Sequence, residues 1–222
     1  PDKLKAYAGV TGDIQKTTLK NLSYENLFLG NNLTYSNPYT WKIFAGLNGN
    51  FTRFIEFGIR LQQEIIEDQY FFISDTNELR NFTTVADDMT KFSLNGEIKF
   101  DVNSKFDIGL RGNIYSYNVN SEQEPWHLPS YDAALFSTIR LADKIYVNAE
   151  YFATSARSAR DLNEQTYDLG AINDINLGME YRYKKNISGF VTVNNILNKR
   201  YQLWNNYRSQ GLNVLAGVTF SL

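Results

Sequence analysis

The sequence predicts an all-β fold, an antiparallel up-and-down transmembrane β-barrel with about ten strands in this chain. Apolar and polar residues alternate along most of the 222 residues, and short turns alternate with long loops. Because successive side chains of a strand point to opposite faces, the alternation gives each strand one apolar and one mostly polar face. The loop pattern and the strand lengths then favour a membrane barrel over other β folds.

The strands follow one another along nearly the whole chain. The alternation is clear in most of them and weaker in two, 135–141 and 187–194, where Ser137 lies on the apolar face and Phe190 on the polar face. No charged residue occupies an apolar-face position. The predicted strands run over 4–10, 41–47, 55–61, 92–100, 106–114, 135–141, 145–151, 175–183, 187–194 and 212–222.

The connections between these strands alternate in length. Short turns are predicted near Asn50-Phe51, Asn103-Ser104, Ala142-Asp143 and Lys185-Asn186, and the long loops run over 16–38, 63–90, 117–131, 154–171 and 197–210. Loops above about 12–15 residues are uncommon in compact domains. Short turns at one end and long loops at the other are typical of outer-membrane barrels, whose tilted strands need about 9–11 residues per crossing. An even strand count puts both termini on the periplasmic side.

The polar face carries charges that a barrel would place in a hydrated interior. There we expect Glu97 to pair with Arg111 on the neighbouring strand. Aromatic residues occupy the positions of interface girdles, with Tyr39 and Trp41 near one rim and Tyr181 and Tyr183 near the other. The alternative is a soluble antiparallel β-sandwich with binding loops, in which the charged faces would lie in solvent and the apolar faces would meet.

Composition excludes several other classes of protein. The net charge of −2 argues against a nucleic-acid partner, and the absence of Cys excludes a disulfide scaffold and a Cys-ligated metal. The sequence contains neither a P-loop nor a dinucleotide fingerprint, so we expect no cofactor. The N-terminus, which begins Pro1-Asp2-Lys3, shows no signal peptide and indicates a processed chain or a piece of a longer one.

We expect no catalytic residue and no metal site, so the protein is predicted not to be an enzyme. The only histidine, His127, could act as a base beside Asp132, but no activated nucleophile is readable near it. The carboxylate pairs Glu67-Asp68 and Asp87-Asp88 are expected to be solvated surface, with weak divalent-ion binding as the alternative. Two loop arginines, Arg157 and Arg160, could meet an anionic ligand or a lipopolysaccharide phosphate, or simply lie in solvent.

The best ligand-binding candidates are aromatic residues in the predicted extracellular loops, since aromatic faces with amide side chains nearby suit a glycan or another small nutrient. Packing between the loops would explain the same residues. The four candidates are Tyr35, Trp126, Trp204 and Tyr207.

The C-terminal thirty or so residues resemble the end of TonB-dependent outer-membrane receptors, particularly those of Bacteroidetes-like bacteria. The resemblance rests on the stretch Asn195-Ile196-Leu197-Asn198-Lys199-Arg200-Tyr201 after an alternating strand. It also rests on Gly217, which alternating apolar residues flank in the last strand. Leu222 stands where the family usually has an aromatic residue.

The resemblance implies a receptor in the outer membrane of a Gram-negative bacterium that mediates nutrient uptake. The implied partners are the lipid bilayer, lipopolysaccharide, a TonB-type energy-coupling protein, and the missing plug and N-terminal barrel strands. Family barrels have 22 strands around a plug, so residues 1–222 would form a single barrel domain or a barrel fragment without a plug.

The alternative is a free-standing small barrel with a structural, adhesive or narrow-pore role. Bulky inward side chains would then fill much of its bore, namely Tyr7, Phe44, Tyr115, Tyr146 and Phe190.

Overall fold

The computed structural model describes residues 4–76, 80–142 and 144–221. Within them, ten strands form one antiparallel sheet, and each strand pairs with the next of the ten along the chain. This arrangement confirms the predicted up-and-down order and strand number. The ten strands are β1 (Lys5–Ile14), β2 (Tyr39–Thr52), β3 (Ile55–Ser74), β4 (Phe82–Asn103), β5 (Phe106–Val119), β6 (Tyr131–Leu141), β7 (Ile145–Thr154), β10 (Ile172–Lys184), β11 (Ile187–Asn194) and β14 (Asn213–Phe220).

Short elements lie in the connections between these strands. The helix α1 (Leu19–Glu25) lies between β1 and β2, and two small hairpins lie in later loops. The hairpins consist of β8 (Ser158–Arg160) with β9 (Thr166–Asp168), and β12 (Gln202–Trp204) with β13 (Tyr207–Arg208). No helix in the described part of the chain is long and apolar enough to span a membrane.

The register aligns the apolar residues of all ten strands on one face of the sheet. Across the first strands, Ala8 faces Ala45, Ala45 faces Leu61, and Leu61 faces Leu94. This face is exposed: Leu61 is 47% exposed and Ile114 is 59% exposed. The apolar rows therefore do not meet a second sheet, and the alternative of a soluble sandwich is wrong.

The short turns and long loops lie at opposite ends of the sheet, as expected, but one loop prediction is wrong. The segment 63–90 was expected to be a loop, whereas β3 continues to Ser74 and β4 begins at Phe82. The register shifts between Ile66 and Gln69, and beyond this bulge the hairpin is covered on both faces by other loops. A strand buried on both faces shows no alternation of apolar and polar residues.

Several aromatic side chains on the polar face lie along the sheet instead of projecting into the bore. Each faces a glycine on the neighbouring strand, so the ring occupies the space above that glycine. A Cβ at Gly9 would lie 2.7 Å from Cζ of Phe44, for example. In this open sheet the rings of Tyr7, Phe44 and Phe190 therefore lie against the wall, whereas the filled bore expected of a closed small barrel stays a prediction. The pairs are Gly9 with Phe44, Tyr7 with Gly46, Gly109 with Phe136, and Phe190 with Gly217.

The sheet has two open edges among the described residues. Strand β1 pairs only with β2, and β14 pairs only with β11. Each edge therefore presents backbone N–H and C=O groups that no neighbouring strand of the described chain meets. In a lipid environment, each unpaired backbone group costs several kcal/mol.

Candidate ligand-capture loops and the pocket beneath them

The long loops form a packed core of their own at one end of the sheet, which we call the loop core. It consists of two clusters, one on each face of the extended β3–β4 hairpin. The first contains Leu22, Tyr70, Phe72 and Phe82, with Phe28, Trp204 and Tyr207 packed against it. The second contains Ile66, Phe71, Met89 and Trp126. The buried apolar clusters of the described residues therefore lie at the loop end of the sheet, around the extension of β3 and β4.

The first loop is attached to the hairpin through helix α1. Thr18 caps the helix by accepting a hydrogen bond from the backbone N–H of Asn21 at 3.2 Å. This start directs Leu22 into the loop core, where it is fully buried. At the end of the helix, the hydroxyl of Tyr70 donates a hydrogen bond to Glu25 at 2.6 Å. Burial and this carboxylate both raise the pKa of Tyr70 above its ordinary value.

The loop 120–130 is attached to β4 through Asp87. The Asp87 carboxylate accepts hydrogen bonds from the backbone N–H groups of Ser121 and Glu122, both at 2.8 Å. Burial alone would raise the pKa of this carboxyl, but these hydrogen bonds lower it below its ordinary value. Its neighbour Asp88 accepts a hydrogen bond from the backbone N–H of Asp68 at the bulge. The expectation that Asp87 is solvated surface is therefore wrong.

His127 lies in the loop core and has a left-handed backbone conformation, with φ of 63°. Its ring contacts Trp204 and Phe82, with centroids 4.8 and 5.8 Å away. Burial, together with the charge of Arg157, lowers the pKa of His127 to about 4. Asp132, the partner considered for base catalysis, instead accepts hydrogen bonds from Asn113 and Tyr115.

The two loop arginines are engaged within the loops. Arg157 is buried and donates hydrogen bonds to the backbone carbonyls of Gln202 and Leu203, at 2.5 and 3.3 Å. Arg160 pairs with Glu122 and Glu164 at 3.6 and 3.0 Å. Arg157 and the pair of Arg160 with Glu122 join loops to one another, so both guanidinium groups contribute to the loop structure. A contact of either with an anionic ligand or a lipopolysaccharide phosphate stays a prediction.

The four predicted ligand-binding residues occupy different positions in the loops. Trp126 is 2% exposed and donates through Nε1 to Glu122 at 2.7 Å. Trp204 and Tyr207 pack together against the first cluster, where Tyr207 stacks on Phe28 with centroids 3.3 Å apart. Tyr35 is 53% exposed and belongs to neither cluster. The ligand-binding role of all four residues stays a prediction.

A polar cavity of about 430 Å³ lies beneath the loop core on the polar face of the sheet. In this cavity the Glu64 carboxylate forms ion pairs with two lysines, and its oxygens lie 2.8 Å from Nζ of Lys42 and 3.1 Å from Nζ of Lys91. The glutamate side chain is nearly buried between the two partly exposed lysines. The rest of the lining is mostly polar and includes Asp13, Gln15, Gln69 and Tyr117, with three apolar side chains, namely Ile66, Met89 and Leu128. We call this cavity the lumen pocket.

Sequence reasoning missed the lumen pocket because its charged residues are far apart in the chain. The cross-strand register brings them together, since Lys42 faces Glu64 on β3 and Glu64 faces Lys91 on β4. The sequence signal is a charge at a polar-face position in each of three consecutive strands. That signal identifies candidates only once the register is known.

The polar face below the lumen pocket carries further paired charges. Arg111 pairs with Glu150 at 2.6 Å, and Glu97 pairs with Lys99 of its own strand at 2.5 Å. Glu97 and Arg111 do face each other in the register, as expected, but the predicted ion pair between them is wrong. Among the described residues, no group of three or more His, Cys, Asp or Glu side chains could hold a metal ion.

No family model and no curated protein matches this sequence. Solved structures do match. The copper transporter OprC has a TM-score of 0.74 and 14% identity over 99% of this chain and 37% of its own. The pyoverdine outer-membrane receptor FpvA from Pseudomonas aeruginosa PAO1 has a TM-score of 0.70 and 11% identity over 99% of this chain and 34% of its own. The ferric-catecholate import receptor Fiu from E. coli K12 has a TM-score of 0.67 and 10% identity over 98% of this chain and 33% of its own.

These neighbours are TonB-dependent outer-membrane receptors, and this chain spans about a third of the length of each. They give no support for the narrower resemblance to Bacteroidetes-like bacteria. At such low identity the likeness concerns the fold. The chain has the fold of a barrel portion of TonB-dependent receptors.

Proposed function

We propose that the chain is the barrel portion of an outer-membrane receptor that takes up a nutrient into a Gram-negative bacterium. The observation that carries this proposal is the arrangement of the two faces of the sheet. One face is apolar and exposed over all ten strands, and the other carries paired charges and a polar pocket. A barrel in a membrane needs that arrangement, because acyl chains contact its outside and water fills its inside.

The open edges support a portion of a larger barrel over a free-standing small one. Among the described residues, the outer edges of β1 and β14 have no neighbouring strand, whereas a closed ten-stranded barrel would pair them with each other. The partners we propose are therefore the remaining barrel strands at these edges, a plug inside, the lipid bilayer and lipopolysaccharide outside, and a TonB-type protein that supplies energy.

For the ligand, we propose a small polar nutrient or a glycan that the long loops capture and the lumen pocket holds. The pocket offers ammonium, carboxylate, amide and phenol groups within one cavity. Of the four aromatic candidates above it, Tyr35 presents an exposed ring, whereas Trp126, Trp204 and Tyr207 shape the loops. The copper and siderophore ligands named for the neighbours belong to those proteins.

Cross-linking tests the choice between a receptor portion and a closed small barrel. The chain has no native Cys, so only the two engineered cysteines can form a cross-link. After reconstitution in lipid vesicles, Ala8→Cys paired with Ala45→Cys is the positive control, because these residues face each other on β1 and β2. We expect that control to cross-link. Val10→Cys combined with Val214→Cys, Ala216→Cys or Val218→Cys should not, and an intramolecular cross-link there would establish a closed small barrel.

A further inference from the structure

The four short turns at the end opposite the loops share one chemical feature. Each contains one exposed basic residue, and among the described residues no carboxylate lies within ion-pair distance of any of them. On the strands, Lys42, Lys91, Arg111 and Arg182 all pair with glutamates. Among the described residues, the strand cations Lys5, Arg60 and Lys184 have no ion pair. The third turn also contains Asp143, which lies outside the described residues. The turn cations are Arg53, Lys105, Lys144 and Lys185.

Backbone hydrogen bonds hold these turns together as one rim, which we call the basic rim. In each turn, one backbone carbonyl accepts a hydrogen bond from a backbone N–H of a neighbouring strand end. The N–H of Asp101 donates to the carbonyl of Phe54, and the N–H of Arg140 donates to that of Lys105, at 2.8 and 2.7 Å. In the same way, the N–H of Arg182 donates to the carbonyl of Lys144, and the N–H of Ser221, just after β14, donates to that of Asn186, at 2.7 and 2.9 Å. These hydrogen bonds therefore hold the backbone that carries the basic side chains in place at the border of the apolar face.

Aromatic rings accompany the cations at this border. The guanidinium of Arg53 lies 4.4 Å from the ring centroid of Phe54. At the end of β10, next to the basic rim, the ammonium of Lys184 lies 5.5 Å from the ring centroid of Tyr183. Both rings are exposed. Aromatic side chains favour the headgroup level of a bilayer, and basic side chains next to them reach the phosphates.

We propose that the basic rim binds the phosphates of anionic glycerophospholipids in the leaflet at the short-turn end. Unpaired cations at a membrane surface attract anionic headgroups, and each contributes through its charge. The long loops differ, because they carry both signs of charge and two of their arginines are engaged internally. The inference rests on the proposed membrane location and adds a lipid preference restricted to one leaflet.

The test measures which lipids the 222-residue chain retains in dodecyl maltoside micelles. Phosphatidylglycerol and phosphatidylcholine are added in equal amounts, and the lipid bound after gel filtration is counted by mass spectrometry. We expect at least a tenfold preference for phosphatidylglycerol that falls with added salt. The fourfold variant Arg53→Gln, Lys105→Gln, Lys144→Gln and Lys185→Gln should lose this preference.

A matched variant removes the same charge from the loop end through Lys16→Gln, Lys20→Gln, Arg200→Gln and Arg208→Gln, and it should keep the preference. Equal loss in both variants, or no preference in the unmodified chain, would overturn the inference. A chain that binds no detergent micelle would overturn the proposed membrane location, whereas micelle binding without lipid preference would overturn only the basic rim as a lipid site.

Discussion

The ring of Phe136 occupies the space above Gly109, its direct partner across β5 and β6. The guanidinium of Arg111 lies over the same ring, 5.6 Å from its centroid. A Cβ at this position would overlap the ring in its present place, so the ring would have to move for any other residue. The same pairing of a glycine with an aromatic ring recurs at both edges of the sheet, between β1 and β2 and between β11 and β14. Aromatic residues of the polar face therefore stabilise the wall of the sheet and leave room beside it.

The first prediction concerns this relationship. Gly109→Ala should destabilise the sheet by about 1–3 kcal/mol, because the added methyl group displaces the Phe136 ring. The measurement is the free energy of unfolding in urea after reconstitution in lipid. Gly96→Ala is the matched control, since nothing lies within 4 Å of a Cβ built there. Combining Gly109→Ala with Phe136→Ala should remove the overlap, so the double variant should lose less stability than the sum of the two single losses. A double loss equal to that sum would contradict an overlap between the added methyl group and the Phe136 ring.

The second prediction concerns the attachment of the loop 120–130. Asp87→Asn replaces a carboxylate that accepts two backbone N–H groups, so the loop should open more easily by about 1–3 kcal/mol. Hydrogen exchange at Ser121 and Glu122 measures this opening directly. Glu124→Gln removes a charge from the same loop and should leave exchange there unchanged. Faster exchange throughout the sheet would show that Asp87 acts on global stability instead.

The third prediction concerns pH and His127. Its pKa is about 4 in the folded loops and about 6.5 when exposed. Between these values the opened loops bind a proton that the folded loops do not, so loop stability falls as the pH falls from 6.5 towards 4. At pH 5 the loss should be about 2 kcal/mol. Acrylamide quenching of tryptophan fluorescence should increase across this window because Trp204 lies against the imidazole.

The control for this pH effect is His127→Asn. Asparagine tolerates the left-handed conformation at this position and does not titrate. Between pH 6.5 and 4, quenching in the variant should change only as far as the titration of carboxylates changes it. If the quenching of the variant still increased between pH 6.5 and 4 as in the unmodified chain, groups other than His127 would cause the effect.

The fourth prediction concerns the lumen pocket. Glu64→Gln leaves Lys42 and Lys91 facing each other without their shared carboxylate, which should lower the free energy of unfolding by about 1–3 kcal/mol. Adding Lys91→Met should restore part of the loss. Glu97→Gln is the comparison, because its pair with Lys99 is exposed and should contribute about 0–1 kcal/mol. Equal effects of the two glutamine substitutions would contradict the buried role of Glu64.

The sequence was sufficient for the ten strands and their order because alternation with a period of two survives wherever one face is apolar and the other polar. It failed between Gln63 and Thr90, where packing on both faces of the hairpin removes that alternation. Residues such as Tyr70, Phe71 and Phe72 are consecutive and all buried, so no period could identify their strand.

The candidate site was harder to predict than the fold. Lys42, Glu64 and Lys91 meet only through the register, which depends on every turn between them. The opposing position of Glu97 and Arg111 was predictable, but their partners were not, because each long side chain reaches several carboxylates or cations. Ion-pair choice depends on rotamers and local distances that sequence spacing does not fix.

The lipid-facing position of the apolar face is tested most directly by measuring the environment of two consecutive residues on β3, Leu61 and Gln62. Leu61 belongs to the exposed apolar face and Gln62 to the polar face. With no native Cys, spin labels at Leu61→Cys and Gln62→Cys in lipid vesicles can be compared without interference. We expect relaxation of the first label mainly by oxygen in the lipid and of the second mainly by a water-soluble nickel complex. Equal access of the nickel complex to both labels would contradict a lipid-facing apolar surface.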